Sequence, residues 1–274
     1  VRRARKRFGQ HFLEPAWQVK VVEACDVSSS DRIIEIGPGQ GAITDRLAPR
    51  VARLLAIEID RDLAADLGAR QLPGVTVHTG DVLGADIDAV VEAWLAAGPS
   101  EGRLRVVGNL PYNVSSPILF LLGRWAGRLP GLVDATVMLQ AEVAARLTAR
   151  AGTAEYGVLT ILTALTAEVT PLLALPAGAF RPRPTVQSAL VRLRFRRPEP
   201  AVAHPELLSR LVRATFTQRR KTIANGLKAL AAGDGLEAGR VLAVAGLDPA
   251  RRPETLQLVE FSALADAWHA ATVV

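Results

Sequence analysis

Cysteine is nearly absent: the 274 residues hold one, Cys25, in an apolar stretch with Val22, Ala24 and Val27. No disulfide and no cysteine-based metal cluster can form within the chain, and a reducing cytoplasm is the expected compartment. Long apolar runs are missing too. Nowhere do about 18 consecutive apolar residues occur, and the first residues lead into no apolar stretch of signal-peptide length, so neither a membrane span nor secretion is expected. The four histidines, His11, His78, His204 and His269, are scattered without a pair at metal-ligand spacing, and no metal is predicted. Ser-His-Asp and Walker-type patterns are absent, as are internal repeats and low-complexity tracts.

What the chain does have is localised positive charge. The net charge is +6, yet Arg2, Arg3, Arg5, Lys6 and Arg7 crowd the N-terminal arm, and residues 181–197 hold six arginines and no acid. The remainder of the chain is therefore net acidic. Charge concentrated this way suggests a polyanion partner, although an arginine-rich solvated surface would give the same composition.

Apolar runs at 32–36, 53–57, 75–78, 104–107 and 135–139 have the length of buried strands, and residues 42–49, 62–71, 85–97 and 116–125 between them have helical spacing. This alternation predicts a parallel sheet with crossover helices. Runs at 169–173 and 189–195 could complete it with antiparallel strands. Beyond Pro198-Glu199-Pro200 only helical patterns follow, through His269. The expected architecture is an α/β domain over residues 1–197 and a small, all-helical domain over 198–274.

The first strand runs into Gly37-Pro38-Gly39-Gln40-Gly41. Glycines allow positive backbone angles and close approach of the main chain to a ligand, and a helix start offers unpaired amides. A dinucleotide-binding turn usually spaces its glycines as Gly-x-Gly-x-x-Gly, whereas these alternate, which favours S-adenosylmethionine. Glu58, at the end of the second strand, is placed to accept both hydroxyls of a ribose. Asp81, after the third, could accept an adenine amine while Val82 packs on the ring. Each acid also has a plainer role: Glu58 or Asp60 could cap the following helix, and Asp81 could only make a turn.

After the fourth strand comes Gly108-Asn109-Leu110-Pro111-Tyr112-Asn113, at the carboxyl edge where an open parallel sheet places its ligands. An adenine amine is a poor nucleophile because its lone pair is delocalised into the ring. Two acceptors facing its N–H groups, the Asn109 side-chain oxygen and the Pro111 carbonyl, would draw the lone pair back onto nitrogen. Tyr112 offers a flat face for an extruded base. No strong general base is needed, because the alkylated nitrogen becomes acidic and can lose its proton to water.

Over nearly its whole length the chain resembles the small-subunit ribosomal RNA adenine dimethyltransferases of the KsgA type. The likeness runs through Phe8-Gly9-Gln10-His11-Phe12-Leu13, the glycine turn, Glu58-Ile59-Asp60, Gly80-Asp81, the Asn109 segment with Ser115-Ser116-Pro117, Met138-Leu139-Gln140, Ala179-Phe180-Arg181-Pro182-Arg183-Pro184-Thr185-Val186-Gln187-Ser188 and Gln218-Arg219-Arg220-Lys221. It implies a Rossmann-like methyltransferase domain with a small C-terminal helical domain. The implied reaction converts two adjacent adenosines near the 3′ end of 16S rRNA, in the 30S subunit or its precursor, to dimethyladenosines. By that likeness His11 and Leu13 join the S-adenosylmethionine pocket with Gly37, Gly39, Gly41, Glu58, Asp81, Val82 and Asn109, and Phe180 lies across the target base from Tyr112, whereas from sequence alone Phe180 is more simply a core residue beside a proline-rich loop.

Arg5, Lys6, Arg7, Arg181, Arg183, Arg219, Arg220 and Lys221 are the expected RNA contacts, the last three opening or lying within a helix, and a cytoplasmic monomer is expected. The family often has lysine at position 141, here Ala141, has asparagine at least as often as histidine at position 11, and usually lacks arginine at 181 and 183. Two other readings remain: a 23S rRNA adenine methyltransferase conferring antibiotic resistance, and a ribosome-assembly factor that no longer turns over.

Overall fold

A computed structural model describes residues 11–198 and 201–273. The chain divides into two compact units. The first takes the described residues up to Ala144 together with Glu168–Phe195; the second takes Ala145–Ala167 and the described residues from Arg196 onward.

In chain order the elements are β1 (Phe12–Leu13), α1 (Pro15–Cys25), β2 (Arg32–Ile36), α2 (Thr44–Leu47), β3 (Arg53–Glu58), α3 (Arg61–Gly68), β4 (Val75–Thr79), α4 (Ile87–Ala96), β5 (Leu104–Asn109), α5 (Ser115–Arg128), β6 (Leu132–Gln140) and α6 (Ala141–Leu147). There follow α7 (Val158–Ala164), β7 (Ala167–Leu175), β8 (Phe180–Arg181), β9 (Ser188–Phe195), α8 (Pro205–Thr217), α9 (Ile223–Gly233), α10 (Ala238–Val244) and α11 (Leu258–Thr272). The helix expected at 42–49 is short, Thr44–Leu47, and tightens into a 3-10 turn at Ala48–Arg50, where Pro49 lacks the amide needed to continue an α-helical ladder.

The large sheet has the order β4-β3-β2-β5-β6-β9-β7. β2 pairs in parallel with β3 and β5, as do β3 with β4 and β5 with β6, while β9 returns antiparallel to β6. β2, β3 and β5 are buried along almost their whole length, the condition of parallel strands covered on both faces. From β2 the chain turns to β3 on one side and later to β5 on the other. That reversal opens a crevice at the carboxyl ends of β2 and β5, where ligands of such sheets bind.

One charged residue lies within this apolar centre. Arg105, on β5, is 2% exposed, and all five of its N–H groups have acceptors. Two go to Asp134, one to Asp31, and the remaining two to the Cys25 and Asp26 carbonyls at the end of α1. Arg192, on β9, donates to the Ala24 and Cys25 carbonyls. Two arginines thus satisfy the last carbonyls of α1 and hold it against the sheet. Because α1 follows β1 directly, they also anchor the segment that carries His11 and Leu13.

The second unit is helical, as the text beyond residue 200 implies, but it also includes Ala145–Ala167, which a boundary at 197 assigned to the sheet domain. The cause is local. The Tyr156 hydroxyl donates to the Leu256 carbonyl, the Gly152 amide donates to the Glu254 carbonyl, and the Tyr156 ring packs on Phe216, which in turn packs on Phe261. Long-range contacts of this kind leave no periodic trace in the sequence.

Candidate active site

The crevice is a single pocket within the first unit, walled by the glycine turn, the ends of β3 and β4, the loop after β5 and the β1 segment. Gly37, Gly39 and Gly41 all have positive φ, at 69°, 59° and 79°. A side chain at Gly41 would also meet the Leu67 and Arg70 side chains at 2.9 Å, so alternate glycines are what this turn requires.

Glu58 ends β3 and is 4% exposed. Its Oε2 accepts the Gly39 amide and its Oε1 accepts the Asp60 amide, both at 2.9 Å. The carboxylate therefore clamps the glycine turn to the end of β3 and retains lone pairs toward the pocket. Burial pushes its carboxyl up, opposed by these backbone amides. The capping role open to Glu58 or Asp60 belongs to Asp60, whose side chain accepts the Asp62 amide at the start of α3. Asp81 makes the turn its plainer reading gave it and also borders the pocket. Its Oδ1 accepts the Leu83 amide in a turn, and the residue lines the pocket beside the buried Val82.

A second buried acid borders the pocket. Glu35, 2% exposed at the pocket floor, accepts the Thr44 hydroxyl at 2.7 Å. Burial pushes its carboxyl up to about 8, opposed by the Thr44 hydroxyl and reinforced by Asp45 and Glu58. It lies inside a strand that reads simply as apolar, and a glutamate there was the available signal. The folded chain keeps a proton that an unfolded chain gives up, so between about pH 4.5 and 8 the fold loses stability as pH rises. Glu35→Gln, which keeps the Thr44 contact, is expected to raise the melting temperature of the ligand-free protein far more above pH 8 than near pH 4.5. The gain at high pH is about 3–5 kcal/mol. Equal shifts at both values would show that Glu35 titrates alike in folded and unfolded chains.

At the end of β5 the Asn109 Nδ2 donates to the His11 carbonyl at 2.9 Å. That bond fixes the amide so that Oδ1 remains an acceptor. The Pro111 carbonyl takes the Val114 amide at 3.2 Å and keeps its second lone pair. Tyr112 is half-buried, its hydroxyl 2.7 Å from Ser188 Oγ and its ring stacked with His11 at 5.4 Å between centroids. His11 Nδ1–H donates to the Pro182 carbonyl at 2.7 Å.

Phe180, expected across from Tyr112, is fully buried. β8 pairs it with Leu13 of β1, and its ring sits in the core with Val21, Val22 and Leu190 rather than on the pocket wall. The ring that faces Tyr112 is that of His11.

The basic residues fall in separate places. Arg181 and Arg183 are exposed in the first unit, Arg181 paired with Glu14 at 3.1 Å. Arg219, Arg220 and Lys221 do not lie in a helix. They form the turn between α8 and α9, closed by the Lys221 amide on the Gln218 carbonyl just before Thr222 caps α9. Arg5, Lys6 and Arg7 lie outside the described residues. Among the described residues there is no helix long and apolar enough to cross a membrane.

Known proteins place this geometry. The sequence profile described as ribosomal RNA adenine dimethylase matches residues 1–264. The chain belongs to the ribosomal RNA adenine dimethylase family. As a member it is an S-adenosylmethionine-dependent rRNA adenine dimethyltransferase. It is 42% identical to the ribosomal RNA small subunit methyltransferase A of Nitrosococcus oceani over 269 residues, which is 97% of this chain and 96% of that protein. It is also 42% identical to the protein of the same name from Pseudomonas aeruginosa, covering 96% of this chain and 94% of that one.

Among solved structures, a dimethyladenosine transferase from Plasmodium falciparum has the same fold, with a TM-score of 0.72 and 24% identity over 93% of this chain and 96% of that one. The 23S rRNA methyltransferase ErmE is similar at a TM-score of 0.62 and 26% identity, over 93% of this chain and 98% of that one. In this rRNA adenine dimethylase the pocket residues suit S-adenosylmethionine. A buried carboxylate with free lone pairs matches a ribose, and an apolar Val82 beside Asp81 matches an adenine.

Proposed function

We propose that this rRNA adenine dimethyltransferase modifies two adjacent adenosines near the 3′ end of 16S rRNA, acting as a monomer on the 30S subunit or its precursor in the cytoplasm, without a metal. The names of its 42% identical relatives support the small-subunit assignment. The observation that carries the chemistry is the orientation of Asn109 by the His11 carbonyl.

Glu58, Asp81, Val82, Leu13 and the glycine turn hold S-adenosylmethionine, whose sulfonium supplies the methyl group. The adenine lies on the face of Tyr112 that His11 leaves open. Asn109 Oδ1 and the Pro111 carbonyl accept its two N–H groups and localise the nitrogen lone pair; neither is charged, so neither removes a proton before transfer.

The test is transfer of labelled methyl to undermethylated 30S subunits and, separately, to protein-free 23S rRNA. Label in the 30S reaction alone is expected. Label in 23S would assign the chain to resistance-type enzymes, and none in either would leave a binding factor.

RNA docking is proposed to use Arg181, Arg183 and the Arg219-Arg220-Lys221 turn, with Arg5, Lys6 and Arg7 of the arm. Reversing residues 219–221 to glutamate is expected to weaken 30S binding and to reduce the slope of log affinity against log salt by about 2–3. An unchanged slope would remove that turn from the interface.

A further inference from the structure

The loop that carries Asn109 and Tyr112 leaves β5, yet the group that holds Tyr112 comes from a strand of opposite direction. β9 runs antiparallel to β6 with Ser188 opposite Gln140. Its first residue therefore lies at the edge where the parallel strands end, beside the loop after β5. Ser188 is 2% exposed, and a buried hydroxyl needs a partner. The partner it has is the Tyr112 phenol, at 2.7 Å. Burial pushes that phenol up, with the Ser188 hydroxyl acting in the opposite sense, so it remains protonated and hydrogen-bonded at neutral pH.

The Tyr112 ring is thus held at three points: its own backbone, its hydroxyl on Ser188 and one face on His11, with 24° between the planes. A side chain tethered at its far end cannot swing about its two torsions. A ring used as a plane for a reacting base gains from such a tether, because a small misplacement of the base costs far more in transfer rate than in binding.

We propose that Ser188 is a positioning residue of the methyl transfer: its hydroxyl fixes the Tyr112 phenol and so sets the plane against which the substrate adenine lies. This rests on the methyl-transfer reading above. Ser188 touches neither the methyl donor nor the base and acts through Tyr112 alone. Its removal changes the rate of transfer and leaves S-adenosylmethionine binding as it was.

The experiment compares full-length wild type, Ser188→Ala, Ser188→Thr, Tyr112→Phe and the Ser188→Ala/Tyr112→Phe double variant. Single-turnover methyl transfer to undermethylated 30S subunits is read at saturating S-adenosylmethionine, with its dissociation constant by calorimetry and a melting curve for each variant. Ser188→Ala and Tyr112→Phe should each slow transfer about fivefold, the loss expected for one hydrogen bond. The donor's dissociation constant should be unchanged, the double variant no slower than the slower single, and Ser188→Thr, which keeps the hydroxyl, close to wild type. Ser188→Ala at the wild-type rate, losses that multiply in the double variant, or Ser188→Thr as slow as Ser188→Ala would each overturn the proposal. Should Ser188→Ala fail to fold, Tyr112→Phe removes the same bond while keeping the ring, and a wild-type rate for it overturns the proposal. Absence of label with the wild type itself would overturn the methyl-transfer reading, and this inference with it.

Discussion

Asn109→Ala is expected to lower methyl transfer to 30S subunits by about 100-fold or more while S-adenosylmethionine binds within about twofold of wild type. The asymmetry follows from where the side chain is engaged. Its Nδ2 is spent on the His11 carbonyl, so the oxygen is the group available to the substrate, and its contribution grows as the amine gives up its delocalised lone pair. An interaction that strengthens on the way to the transition state appears in the rate rather than in ground-state affinity. Asn109→Asp is a sharper case. A carboxylate cannot donate to the His11 carbonyl, so the orienting bond is lost and two oxygens face a third, and the rate should fall nearly as far as with alanine. Radiolabel transfer under single turnover, alongside calorimetry of the donor, checks both. Equal rates in wild type and Asn109→Ala would remove Asn109 from the mechanism.

Glu58→Ala is expected to do the opposite, weakening S-adenosylmethionine about 30-fold or more. A hydrogen bond to a charged group is worth about 1.5–3 kcal/mol. The loss here is compounded because the carboxylate also holds the Gly39 and Asp60 amides that shape the glycine turn. Glu58→Gln should be little better. One amide hydrogen would then point at a backbone N–H that the carboxylate oxygen had satisfied, leaving a buried donor facing a donor. Calorimetric titration of the donor into each variant measures this. Unchanged affinity in Glu58→Ala would place the ribose elsewhere in the pocket.

The parallel core was legible because its strands are short apolar runs separated by helical spacing. β2 was read with its observed bounds, and β3, β4 and β5 to within one or two residues at their ends. Gly37, Gly39, Gly41 and Asn109 could be placed because a strand followed by a turn sets their position before any tertiary contact is known. What escaped depends on contacts distant in sequence. β1 and β8 are two residues each and exist only because Leu13 and Phe180 pair across 167 positions. Phe180 reads from sequence alone as a core residue beside a proline-rich loop and only by the family resemblance as a stacking ring; this pairing places it in the core. His11, expected in the cofactor pocket, also packs directly on the Tyr112 ring. The turn at 218–221 scans as helix because its residues favour helices; Thr222 overrides that by capping α9. Ser188 ends the proline-loop motif and precedes a run already read as an antiparallel strand, but its bond to Tyr112 is visible only once β9 is paired with β6.

The most direct measurement is the mass of nucleosides released from the 3′ end of 16S rRNA after undermethylated 30S subunits have reacted with wild type and with Asn109→Ala. Two adjacent dimethyladenosines with the wild type, and unmodified adenosine with the variant under the same conditions, are the predicted result. Unmodified adenosine with the wild type, or dimethyladenosine formed equally well by Asn109→Ala, would contradict it.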